Sequence, residues 1–138
     1  MATMQIIGAP QSTFTRVVRM VAHGKVDFFA ALLVALTGQA EARVARLLAG
    51  GQDVALSAIF RTAGLPETVH AVLARALKAW REVAKGVRVA GAQEVSWLML
   101  EVLGGQRAEG DLASLLRSIH LDALRENARG HALAIAAA

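Results

Sequence analysis

The spacing of glycine constrains this chain more than any other feature. Gly24, Gly38, Gly50-Gly51, Gly64, Gly86, Gly91 and Gly104-Gly105 separate short apolar patterns whose residues recur at three and four, not at two. That period is the helical one, and a glycine at the end of each pattern is where a helix stops. Seven helices are predicted, at about residues 13–23, 26–37, 40–49, 53–63, 66–85, 92–103 and 111 onward. Ser12 or Thr13 stands where the first helix needs an N-cap, as do Asp53 for the fourth and Asp111 for the seventh. Pro66 suits the first turn of the fifth.

Each pattern also names its inner face. Phe14, Val17, Val18 and Val21 line one side of the first helix, with Arg16 and Arg19 off it. The second, with Phe28, Phe29, Leu32, Leu33 and Leu36, is apolar nearly all round, as a central helix would be. The fifth directs Val69, Val72, Leu73, Ala76, Leu77 and Trp80 inward. The alanine-rich end of the last helix is expected to fray. Laying Gly38 on Gly64 pairs Leu33 with Ile59, Glu41 with Glu67 and Leu47 with Leu73, a spacing of 26. Short loops and this faint repeat leave two all-α architectures open: a short HEAT-like stack of helical hairpins, or an irregular helix bundle. The division is a lead-in over residues 1–11 and one helical domain over 12–138.

Composition narrows the chemistry. The chain has no cysteine, which removes disulfides, thiolate nucleophiles and cysteine zinc sites. Its longest apolar run, Phe28 to Leu36, is nine residues, well under the roughly 18 that a membrane span needs. The first twenty residues lack the basic start, apolar stretch and small-residue site of a secretory leader, so a cytoplasmic protein is expected. A net charge of +4 is too mild to mark a nucleic-acid binder outright.

Candidate chemical groups are few. Glu67-Thr68-Val69-His70 has the Glu-x-x-His spacing of di-iron bundles, but a second such motif and two more glutamates are missing, so a solvated first-turn pair is expected. His120, Asn127 and His131 share a helix face, yet the two imidazoles stand about 16 Å apart and cannot share a metal. None of Ser12, Ser57, Ser96, Ser114 and Ser118 sits in a Gly-x-Ser-x-Gly elbow, and no phosphate-cradling glycine loop occurs. No catalytic residue, cofactor or metal site is assigned. A helix-turn-helix around Gly64 is disfavoured because Phe60 fills the crowded position and His70 stands where an apolar anchor belongs.

The strongest electrostatic feature is the far half of the fifth helix. Arg75, Lys78, Arg81, Lys85 and Arg88 place five positive groups in fourteen residues, with only Glu82 among them. Two readings stand. These stems snorkel over apolar surface as a solvated face, or they form a partner-binding site for an acidic protein or a nucleic-acid backbone.

Three stretches carry a family resemblance. VVRMVAHGKVDFFAALLVALTGQAEARVARLLAGG is similar to a helix, a Gly-x-x-Asp-Phe-Phe segment, a Leu-x-Gly turn and an Ala-Arg-Val double-Leu helix. ALSAIFRTAGLPETVHAVLARALKAWRE carries an Arg-x-Ala-Gly-Leu-Pro junction, and DLASLLRSIHLDALRENARGHAL a Leu-Leu-Arg closing helix. Together, over about Arg16 to Leu133, they resemble the C-terminal portion of the DUF2336 family of alphaproteobacteria, with the first fifteen residues outside the likeness. The resemblance implies an all-helical fold and no particular activity. A separate, local likeness ties QIIGAPQSTFTRVVRM to the first strand, loop and helix of thioredoxin-like glutathione transferases, where a hydroxyl activates a thiol. That fold needs further strands and a proline-led strand near residue 50, where FFAALLVALTG and ARVARLLAGG read as helices. A non-enzymatic interaction module binding a protein partner or itself is therefore the expected function. Nucleic-acid or acidic-partner binding through the fifth helix is the alternative, and a thiol transferase stands below both.

Overall fold

The computed structural model describes residues 14–137, and the lead-in over 1–11 and the cap expected at Ser12 or Thr13 lie outside them. Among the described residues the fold is all-α, with seven helices and no strand. α1 covers residues 14–22, α2 Val26–Thr37, α3 Glu41–Gly50, α4 Asp53–Thr62, α5 Glu67–Ala84, α6 Ala92–Val102 and α7 Asp111–Ala137, with a 3-10 turn at Gly105–Arg107 before α7.

Three of the glycine stops share one geometry. At Gly24, Gly64 and Gly86 the backbone turns left-handed, and the N–H groups of the glycine and its successor reach back to the last turn. Leu65 N–H donates to Phe60 O and Gly64 N–H to Arg61 O, with equivalent pairs from Lys25 and Gly24 and from Val87 and Gly86. These are Schellman endings, which satisfy carbonyls that the helix leaves open. They explain why glycine spacing locates these helix ends.

The N-termini differ from expectation. Asp53 and Asp111 are the first residues of their helices, and Gln52 occupies the cap of α4 without a side-chain bond. Both aspartates instead place negative charge in the first turn, where the helix dipole favours it. Pro66 is the cap of α5 rather than part of its first turn. α6 is capped from one direction only: the Glu94 carboxylate accepts from Gly91 N–H at 2.9 Å, and glycine has no side chain to return the bond.

α2, α3, α4 and α5 interlock: α2 packs on α3 and α4, α3 on α4 and α5, and α4 on α5. α6 then packs on α5, and α7 on α6. Phe29 of α2 and Phe60 of α4 meet at 5.9 Å between ring centroids in the middle of the first group. Met99 and Leu100 of α6 with Leu116 and Ile119 of α7 fill the second.

One expectation fails on packing. α2 is not central: only Phe29 and Leu33 are buried, while Phe28 is 65% exposed beneath the Lys25 ammonium. Its neighbours cover one side, so apolar residues on the other side stay in water. α7 runs as helix to Ala137, although no described residue beyond Ala123 is buried.

Candidate functional site

The far half of α5 does two jobs. Its first is structural. The Trp80 indole N–H donates to Val21 O at 2.7 Å, and its ring lies against Gly24, where an added Cβ would stand 3.2 Å from ring carbons. A side chain at Gly24 would crowd that ring as well as strain the positive φ. At the next residue, Arg81 donates to Leu48 O at 2.8 Å, Leu47 O at 3.1 Å and Gly51 O at 3.2 Å. These carbonyls close α3, so a guanidinium supplies the donors that the helix end lacks and places positive charge at its negative pole. Gly51 also permits the turn itself, since a Cβ there would meet Leu47 O at 2.5 Å.

The five predicted partner-binding residues are therefore not equivalent. Arg81 is half-buried and engaged by α3. Arg88 lies beyond the helix end, its guanidinium donating to Glu82 at 3.1 Å. Arg75 is half-buried, with one terminal nitrogen enclosed and without a protein partner among the described residues. Lys78 and Lys85 are exposed.

The second job is to wall a groove. Val26, Asp27 and Ala30 of α2, Ala45, Leu48 and Ala49 of α3, and Leu77, Trp80, Arg81 and Ala84 of α5, with Lys85 after it, enclose about 410 Å³. The lining is apolar apart from Asp27 on one side and Arg81 and Lys85 on another. Alanines open the space: α2 and α3 contribute Ala30, Ala45 and Ala49, where longer side chains would fill it. Trp80 and Arg81 hold the ends of α1 and α3 against α5, so these walls are fixed by hydrogen bonds as well as by packing. Such a concavity receives an apolar group and orients it through a few charges.

The remaining clusters are structural in geometry. His70 is not solvated: it is 4% exposed, with its ring 5.7 Å from that of Phe60. Nε2–H donates to Leu65 O at 2.9 Å, and Nδ1 lies 3.4 Å from Glu67. Glu67 also accepts from Arg61 at 2.7 Å, and that hydrogen bond holds its carboxyl below the usual carboxylate range. The same contact raises the Arg61 guanidinium further above its ordinary value.

A second cluster joins α6 and α7. His120 Nδ1 lies 2.9 Å from Gln93 O and 3.2 Å from Ser96 Oγ, and Asn127 donates to the Gln93 side chain at 2.6 Å. The carbonyl requires a proton on Nδ1, so that nitrogen cannot take one from the buried Ser96. Among the described residues no three His, Asp or Glu side chains gather to hold a metal, and no helix is long and apolar enough to cross a membrane.

Sequence reasoning missed the groove and the carbonyl role of Arg81. The groove has no motif, because its residues come from three helices. Arg81 had one available signal, its place one residue after an inward Trp80, where its stem is drawn toward the neighbouring helix.

No curated protein and no solved structure matches the chain. The family described as an uncharacterised protein conserved in bacteria, DUF2336, matches residues 5–113. That span takes in most of the opening residues set outside the resemblance above, and it stops three residues into α7, so most of the third resembling stretch lies beyond it. The match covers α1 to α6 whole, with their glycine stops and the groove, and by it the chain belongs to the DUF2336 family.

Proposed function

We propose that this chain is a cytoplasmic, non-enzymatic helical docking module that holds a protein partner in the groove between α2, α3 and α5. The groove itself carries the reading: about 410 Å³ of mainly apolar space with walls tied by Trp80 and Arg81. The partner it fits presents an apolar side chain as anchor and an acidic group beside it, set against Lys85 at the lip and Lys78 on the same helix. The way α2 packs on α4 and α3 on α5 supports reading these four helices as two stacked hairpins related by the 26-residue spacing.

Nucleic-acid binding by the same helix has less support, because Arg81 and Arg88 are engaged within the chain. The test is affinity capture from the native host with three baits: wild type, Lys78→Glu with Lys85→Glu, and Ala45→Trp to fill the groove. A discrete partner that wild type retains, the lysine variant holds weakly and Ala45→Trp loses supports the proposal. A partner list unchanged by Ala45→Trp overturns it, as does a salt-sensitive gel shift that only the lysine variant abolishes.

A further inference from the structure

The second half of α7 carries an apolar stripe that the described residues cover only in part, at its Leu121 and Leu124 end. Leu121, Leu124, Ala128, Ala132 and Ile135 follow one another at spacings of three, four, four and three, which keeps them on one side of the helix. Leu121 is 49% exposed, Leu124 37% and Ile135 63%. The buried residues of this helix, Ala113, Leu116, Ile119 and Ala123, lie on a different side, packed on α6, and Asn127 makes the last side-chain bond back to α6. Beyond it, ten residues run as helix with every one of them exposed, carried on from the packed first half of α7. An apolar stripe held out from the core in this way marks a surface for association.

We infer that this surface is the same stripe of a second copy, laid antiparallel across a two-fold axis at Ala128. The stripe is its own complement in that arrangement, which a two-fold interface requires. Read from either end its spacing is identical. Leu121 meets Ile135 of the second copy, Leu124 meets its Ala132, and the small Ala128 pair lets the axes approach.

Charge favours a second copy over other surfaces. The polar side holds Asp122 and Glu126 against Arg125 and Arg129, paired within the helix and summing to zero. An amphipathic helix for anionic lipid carries an excess of Lys and Arg there, and so does a nucleic-acid binder. Two neutral helices meet without repulsion. The patch is about 21 Å long at 1.5 Å rise per residue, smaller than the roughly 800 Å² per partner of a standard interface. The dimer is therefore weak and its population rises with concentration.

The absence of cysteine makes the test clean. Full-length chains carrying Ala128→Cys, Leu121→Cys, Ile135→Cys or Leu133→Cys are oxidised mildly across a concentration series. Leu133 is 66% exposed but lies off the stripe, so it reports random collision. Ala128→Cys is expected to form a disulfide dimer at least tenfold faster than Leu133→Cys, and a mixture of Leu121→Cys with Ile135→Cys to cross-link faster than either alone.

Sedimentation of the unmodified chain is expected to show dimer that Leu124→Asp abolishes while its helical circular dichroism is retained. Equal rates for Ala128→Cys and Leu133→Cys overturn the inference, and so does self-linkage of Leu121→Cys that outpaces the mixture, which indicates parallel packing. Flotation of the monomer with phosphatidylcholine or phosphatidylglycerol vesicles, lost in Leu124→Asp, would assign the stripe to a membrane surface instead.

Discussion

α5 and α7 are the two longest helices, at 18 and 27 residues, and they are used in opposite ways. α5 buries seven residues and gives Trp80 and Arg81 to the ends of two other helices. α7 buries four, all in its first half, and its later arginines reach only Asp122 and Glu126 in the same helix. Both contain leucine, alanine and arginine at helical spacing. An arginine is worth most where a neighbouring element ends beside it with open carbonyls, and worth little as a surface partner one turn away.

The contrast is broken most severely at the centre of α5. Leu73→Ala or Leu77→Ala is expected to cost about 2–5 kcal/mol in denaturant unfolding, the range for an emptied leucine site, whereas Leu133→Ala should stay within about 0.5 kcal/mol. Equal losses at the two places would mean that α7 is as integral as α5. Arg81→Met keeps the stem and removes the donors, and is expected to cost about 1.5–3 kcal/mol. Amide exchange over Leu47 to Gly51 should quicken in that variant, while Arg129→Met changes neither reading.

Trp80→Phe keeps most of the ring and loses the bond to Val21 O, for about 1 kcal/mol in a thermal melt. A loss confined to α1 in exchange measurements would sharpen the view that this indole ties down one helix. The smallest effect lies at the α4 to α5 junction. The Glu67 carboxyl sits below its ordinary value in the fold, so its stabilisation is full above the unfolded pKa near 4.3 and drains away as pH falls through the lowered folded value. Glu67→Gln should flatten that acid limb slightly and leave stability at pH 7 nearly unchanged, as suits an exposed pair.

The helices were legible because their ends are local. Gly24, Gly38 and Gly64 each stop a helix at the residue where the pattern places the stop. Burial was legible where one face dominates, as with Val72, Leu73, Ala76 and Leu77, and misled where a helix is apolar on several sides. Phe28 and Leu36 are exposed because α2 has neighbours on one side alone. His70 erred the other way: read as solvated, it is buried because the turn at Gly64 brings Leu65 O within reach of its ring.

The candidate site was half legible. The charge cluster on α5 is visible in the chain, but which of its members stay available depends on where α3 and Glu82 end up. By itself, then, the sequence determined an all-helical chain of seven segments, most of their boundaries and its DUF2336 family, because periodicity and glycine stops act within a few residues. Only the tertiary structure decided that Trp80 and Arg81 are fastenings, that three helices leave a groove beside them, and that half of α7 stands clear of the core. Each of those depends on groups about thirty or more residues apart in the chain, whose meeting is set by packing and has no local signature.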